Sequence, residues 1–121
     1  MTLRGRSAIV GIGEFKPVVY TEGATTLGML AQVGMQALAD AGFEPGAVDG
    51  LVTEAFSEAP FMGASLVAES LGIRPTFLEQ VDLGGATAGV MVVRAAAAIA
   101  AGLCETVLLV TAARRERSPT C

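Results

Sequence analysis

The chain contains no histidine, no tryptophan, one tyrosine and two cysteines. Without histidine there is no imidazole to act as general base, so a Ser–His or Cys–His nucleophile cannot be assembled from these residues. The scarcity of aromatic rings removes the stacking platforms that bind single-stranded nucleic acid. Charge is also scarce: charged residues make up 17% of the chain, the net charge is −4 and the isoelectric point about 4.7. A phosphate-binding surface needs a basic face, and nothing here supplies one. Cys104 and Cys121 show neither metal-ligand spacing nor a disulfide framework. A secretory signal is missing too. Arg4 and Arg6 precede only a short apolar run, which glycines break and Glu14 closes. The most apolar stretch, Leu83 to Cys104, carries Arg94 near its middle. A membrane span needs about 20 residues without a central charge, so this stretch reads as a helix inside a globular protein. A cytoplasmic location is the expectation.

What the chain does have is apolar residues. They form 52% of 121 residues and the mean hydropathy is +0.58. That length supports one domain with a core, and the hydropathy points to elements buried on both faces, with part of the surface covered by something else. The spacing of apolar residues divides the chain into alternating elements. Ser7 to Ile12 is β-branched and reads as a buried strand. A helix runs from a Thr25 or Thr26 cap to Ala41, with Gly42 as its stop. Val48 to Thr53 is a second strand and Ala64 to Leu71 a second helix, ended by Gly72. Pro75 enforces extension into a third strand, Thr76 to Val81. Thr87 to Ala101 is a small-residue helix stopped by Gly102, and Glu105 to Ala112 is a fourth strand. The β-α-β-α-β-α-β order predicts an α/β domain with a mostly parallel sheet of four strands. The domain covers residues 1–113, and 114–121 (RRERSPTC) is a tail without periodicity, expected to be disordered.

Four places invite a chemical reading. Gly11 and Gly13 follow the first strand, as in a dinucleotide fingerprint. The third glycine would fall at Lys16, and no helix begins there to receive a pyrophosphate. The two glycines therefore read as the end of a strand and a turn. The junction Asp82-Leu83-Gly84-Gly85-Ala86-Thr87 permits close backbone approach ahead of a helix N-terminus. A thiol placed there would be activated, but none is present. Thr87 lacks a base and reads as a cap or packing residue. Cys104 lies at the N-terminal edge of the last strand, the wrong end for a ligand site in a parallel sheet, and reads as partly exposed and incidental. Cys121 in the tail reads the same way. Glu54 and Glu58 lie beyond the carboxyl end of the second strand, where an acid–base pair with each other or with Glu69 is conceivable; a solvated loop is the simpler reading.

Three stretches together carry a family resemblance: AIVGIGEFKP (Ala8 to Pro17), LADAGFEPGAVDGLV (Leu38 to Val52) and DLGGATAGVMVVRAAAAIAAGLCETVLLV (Asp82 to Val110). In this order and spacing they resemble the opening of the thiolase superfamily, in its sterol-carrier and lipid-transfer branch. The resemblance runs from Arg6 to Ala112. It implies a layered α/β/α half-domain, and a half of this kind has five strands, the fifth inserted between the first and the fourth. Four strands are seen here, so the half is incomplete. The edges near Ala8 to Ile12 and Val107 to Val110 are then expected to lack a partner, a liability for aggregation or an invitation to assembly. Family members place a nucleophilic cysteine at the start of the central helix, and Gly85 stands at the matching position. Acyl-enzyme chemistry through this position is excluded, so the resemblance implies no catalytic residue in this chain. It points to the cysteine-less relatives, acyl-CoA aldolases of steroid degradation among them.

Several expectations follow from the resemblance. The parent enzyme is an acyltransferase or acyl-CoA lyase of lipid metabolism, and this portion is inactive by itself. Gly84, Gly85, Ala86 and Thr87 contact substrate, the coenzyme A thioester being substrate and not cofactor, with no metal. Partners are a second copy, paired through Thr76 to Gln80, and a small OB-type acyl-CoA-associated protein. The acid–base residues of the family lie in segments beyond these. RRERSPTC does not resemble the family continuation, which suggests a truncated or shifted reading frame. Two other readings compete: a non-catalytic acyl-CoA- or lipid-binding scaffold, and an unrelated nucleotide-binding domain.

Overall fold

The computed structural model describes residues 2–18 and 23–113. Three helices and three strands follow one another in alternation: α1 (Thr26–Ala41), β1 (Gly50–Glu54), α2 (Gly63–Leu71), β2 (Phe77–Val81), α3 (Thr87–Ala100) and β3 (Val107–Val110). Short 3-10 turns, Pro45–Ala47 and Gly84–Ala86, precede β1 and α3.

Local chemistry sets the helix ends. The Thr25 hydroxyl accepts from the Gly28 amide and caps α1. Leu30, Gly34 and Leu38 repeat every four residues and form its buried stripe. At the far end Gly42 turns left-handed, and the Phe43 amide reaches back to the Leu38 carbonyl. α2 ends the same way at Gly72.

The sheet is parallel with the order β2-β1-β3. Gly50 of β1 lies opposite Phe77 on one side and Val107 on the other. Central β1 is the most buried strand, with Leu51, Val52 and Thr53 at 0% exposure. Alternation along the strands sends Leu51, Leu108 and Val110 into a core with α1 and α2, which includes Leu30, Leu38, Val67, Leu71 and Ile73. Val52 and Val81 point the other way, against Met91 of α3. The result is three layers, with α1 and α2 over one face and α3 over the other.

The chain thus forms the expected parallel α/β arrangement, and all six elements formed agree with their expected spans to within two residues at each end. One expectation fails. Residues 7–12 do not form a strand, so the sheet has three strands and not four. The β-branched run is extended, but it lacks a neighbouring ladder. Its backbone is tied to side chains of α1 instead: the Ile12 amide donates to Asp40 at 2.8 Å and the Glu14 amide to Gln36 at 3.2 Å. Gly11 and Gly13 serve this crossing and not a turn. A Cβ on Gly11 would sit 2.5 Å from the Ala37 carbonyl oxygen, and one on Gly13 equally close to that of Val33. Ile9, Val10 and Ile12 remain 61–73% exposed. The expected tail, 114–121, lies outside the described residues.

Candidate active-site rim at the carboxyl end of the sheet

The carboxyl ends of β1, β2 and β3 deliver Glu54, Asp82 and Thr111 to one rim, and α3 starts from the same side. This is the edge at which parallel sheets bind ligands. Glu54 is half-buried, and its carboxylate accepts a short hydrogen bond from the Thr111 hydroxyl. Glu58, in the loop after β1, accepts from the hydroxyl of buried Thr26 at 2.5 Å and from Ser57 at 3.0 Å. These carboxylates are therefore held by hydroxyl donors and not merely solvated. Glu69 lies exposed late in α2. That helix runs from the carboxyl end of β1 toward the amino end of β2, which carries Glu69 away from the rim.

The α3 junction is built around Thr87. This side chain is buried, and its hydroxyl accepts from the Leu83 amide at 3.0 Å and donates to the Gly84 carbonyl at 2.7 Å. With donor and acceptor both engaged, Thr87 is a packing and turn-closing residue. Gly84 takes a left-handed φ of 59°, which only glycine adopts freely. Gly85 and Ala86 are exposed. A Cβ built on Gly85 would meet nothing within 4 Å. The backbone thus presents an open position at the N-terminus of a 14-residue helix, where the dipole favours negative charge. It offers donors and space there, but no nucleophile.

Sequence reasoning missed two neighbours of this rim. Phe61 and Met62 precede α2 and are 84% and 75% exposed. Met62 holds a left-handed φ of 61°, unusual for a residue with a side chain. Gln80 on β2 ties this loop down: its amide nitrogen donates to the Pro60 carbonyl, and its oxygen accepts from the Ala64 amide. The adjacent Pro60-Phe61-Met62-Gly63, apolar in a loop, was the available signal. The threonine partners of Glu54 and Glu58 carried none, because each lies more than 30 residues away in the chain.

The remaining candidates sit elsewhere. Cys104 lies at the opposite edge of the sheet, before β3, and it is buried at 4% exposure, not partly exposed as the sequence suggested. Its thiol is pushed above the ordinary value of 9.0, first by burial and then by the charge of Asp49. That keeps it protonated and unreactive. Cys121 lies outside the described residues. Gly11 and Gly13 are packed against α1 and leave no cradle for a pyrophosphate. Among the described residues no cluster of three His, Cys, Asp or Glu could hold a metal, and no helix is long and apolar enough to cross a membrane. The segment expected to pair two copies, Thr76 to Gln80, lies on the edge strand β2, with β1 as its sole ladder partner among the described strands.

Known proteins share this arrangement. No protein-family model matches the chain. The 17-hydroxy-3-oxo-4-pregnene-20-carboxyl-CoA lyase of Mycobacterium tuberculosis is 36% identical over 107 residues, 88% of this chain and 27% of that protein. The solved Ltp2-ChsH2(DUF35) aldolase superposes with a TM-score of 0.69 and 36% identity, over 84% of this chain and 26% of that one. A monomeric SCP2-thiolase like protein from Mycobacterium smegmatis superposes with the same TM-score, 0.69, at 24% identity, over 88% of this chain and 23% of that one. The last likeness concerns the fold alone. The chain spans about a quarter of the length of each.

Proposed function

We infer, for a chain that belongs to the thiolase-like proteins and is related to their steroid acyl-CoA aldolase branch, that these residues form a nucleophile-free wall of an acyl-CoA site in a carbon–carbon lyase. The open backbone position at Gly85 carries this reading. A lyase that releases a carbonyl product from a β-hydroxyacyl thioester needs the thioester oxygen polarised and a proton removed, with no acyl transfer to the enzyme. Exposed backbone around Gly84, Gly85 and Ala86 at a helix N-terminus suits the first task. Residues outside this segment would supply the proton-transfer groups. In this reading the 121 residues are catalytically silent alone. Residues 1–113 act as one partial domain, and the location is cytoplasmic. The free edge of β2, Thr76 to Gln80, supports pairing of two copies. The Ltp2-ChsH2(DUF35) aldolase, by its name, supports a second, different protein as partner, here of OB type.

The test is titration of the isotopically labelled chain with a steroid carboxyl-CoA thioester, followed by amide NMR and intact mass. Weak binding with shifts centred on Gly84 to Thr87, and no gain in mass, is the expected outcome. A covalent acyl adduct, thiolysis by the chain alone, or shifts that avoid the α3 junction would overturn the assignment.

A further inference from the structure

The outer edge of β2 resolves group by group. Among the described strands β2 pairs only with β1, and the pairing is parallel. In a parallel ladder alternate residues turn both backbone groups to the same neighbour. The Phe77 amide donates to the Asp49 carbonyl, and the Val81 carbonyl accepts from the Ala55 amide. Phe77, Glu79 and Val81 therefore face β1. Leu78 and Gln80 turn their N–H and C=O outward, where no described residue meets them. The Thr76 amide is already given to Asp49. The open edge is thus the backbone of Leu78 and Gln80.

Side chains alternate across the same strand. Gln80 bonds to Pro60 and Ala64 at the start of α2, so Leu78 and Gln80 face that helix. Phe77 and Val81 pack with Met91 on the α3 side, and Glu79 lies between them. Its carboxylate meets Arg94 of α3 at 2.9 Å, with the two side chains 25% and 55% exposed. A carboxylate in the middle of an edge strand is costly to cover and deters casual strand addition.

Given that two copies pair through β2, as proposed above, symmetry limits how they meet. A two-fold axis makes the two β2 strands antiparallel, and bonded residues must both face outward. An axis at Leu78 sets Gln80 against Thr76, whose amide is taken. An axis at Gln80 sets Leu78 against Asp82, which lies past the end of β2. An axis at Glu79 sets Leu78 against Gln80 on both sides of it and uses every outward group. That register also places the two Glu79 side chains directly opposite on the α3 face, with Cβ atoms about 4.5–5.5 Å apart. Like charges there oppose the pairing that the backbone favours. Arg94 resolves the conflict, because its guanidinium has donors left for the Glu79 of the other copy. We propose that Glu79 and Arg94 form a charge lock on this edge: it admits a second copy of the chain, which brings a matching Arg94, in the register centred on Glu79. Two carboxylates and two guanidinium groups then meet about the axis.

Sedimentation equilibrium of the whole chain over a concentration series tests the lock, with protection of β1 amides as the check that each variant is folded. Arg94→Gln leaves the two carboxylates facing each other and should weaken self-association at least about tenfold. Glu79→Gln combined with Arg94→Gln should recover most of that loss, because no charge is then left unpaired. Register is read separately in the Cys121→Ser background with oxidised glutathione. Glu79→Cys brings two thiols within disulfide reach and should give a covalent dimer, whereas Leu78→Cys should not. Four results would overturn the proposal. Unchanged association of Arg94→Gln would remove the lock. A double variant as weak as Arg94→Gln would show that Arg94 acts elsewhere. Crosslinking through Leu78→Cys in preference to Glu79→Cys would move the axis. A chain that stays monomeric at every concentration would remove the pairing and the lock together, whereas the first three results leave the pairing standing. Acyl-CoA titration reads out at Gly84 to Thr87, so the lyase reading stands or falls separately.

Discussion

The two faces of the sheet are covered unequally. On the α1/α2 face a closed core joins both helices to β1 and β3, with Leu30, Leu51 and Val67 at 1% exposure or less. On the α3 face the buried cluster is Val52, Val81 and Met91. α3 itself leaves Val92 and Val93 41% and 57% exposed, and its one charged residue, Arg94, pairs with Glu79 in the middle of edge strand β2. A helix apolar on nearly every side belongs inside a larger body. The α1/α2 face is therefore closed by this chain's own residues, whereas α3 and a groove beside β3 leave apolar side chains exposed. The same division orders the chemistry: the finished side carries stability, and the unfinished side carries the open junction at Gly85.

The sharpest way to break this comparison is to truncate one residue on each face. Leu51→Ala should cost about 2–5 kcal/mol, as expected for a fully buried leucine. Val93→Ala on exposed α3 should stay within about 0.5 kcal/mol. Urea denaturation of both variants measures the difference, and similar losses would mean that the faces are equally packed.

A middle-sized effect belongs to Asp49, which binds β3 to the finished body. Its carboxylate accepts from the Glu105 amide at 3.0 Å and the Thr106 amide at 2.8 Å. Hydrogen bonds to a charged group contribute about 1.5–3 kcal/mol each at most. Asp49→Ala should therefore destabilise by about that amount in total, and it should speed exchange at residues 105–110 before it affects β2. Uniform acceleration across the sheet would show that Asp49 does not act locally on β3.

The smallest effect concerns Cys104 and alkaline pH. Burial and Asp49 raise its thiol in the folded state above 9.0. The folded chain then holds this proton more tightly than the unfolded chain does. The resulting stability is complete below the unfolded value and is lost as pH rises through the folded one. Thermal melts in the Cys121→Ser background should fall above about pH 9. The Cys104→Ala variant, though less stable overall, should fall less steeply there. Equal slopes would remove the thiol from the account.

Much of the finished side was legible in the sequence. The four-residue spacing of Leu30, Gly34 and Leu38, the Thr25 cap and the Gly42 and Gly72 stops are local signals, and local signals survive into the fold. The first strand was misread because Ser7 to Ile12 has the composition of a strand, while strand formation requires a neighbour that composition does not reveal. Gly11 and Gly13 looked like a turn because close approach to α1 is invisible until α1 is in place. Cys104 looked partly exposed because its burial depends on Asp49 and Gly50, which lie more than 50 residues earlier.

The sequence by itself determined the alternation of helices and strands, the parallel sheet that such alternation imposes, and the lack of a nucleophile at Gly85. These follow from residue type and periodicity, which the chain carries wherever it goes. The tertiary structure alone decided which hydroxyls hold Glu54 and Glu58, why Thr87 is spent on its own turn, and that a largely apolar groove separates residues 7–13 from β3. Each of these depends on atoms distant in the chain being brought within hydrogen-bond or van der Waals reach, or held just beyond it.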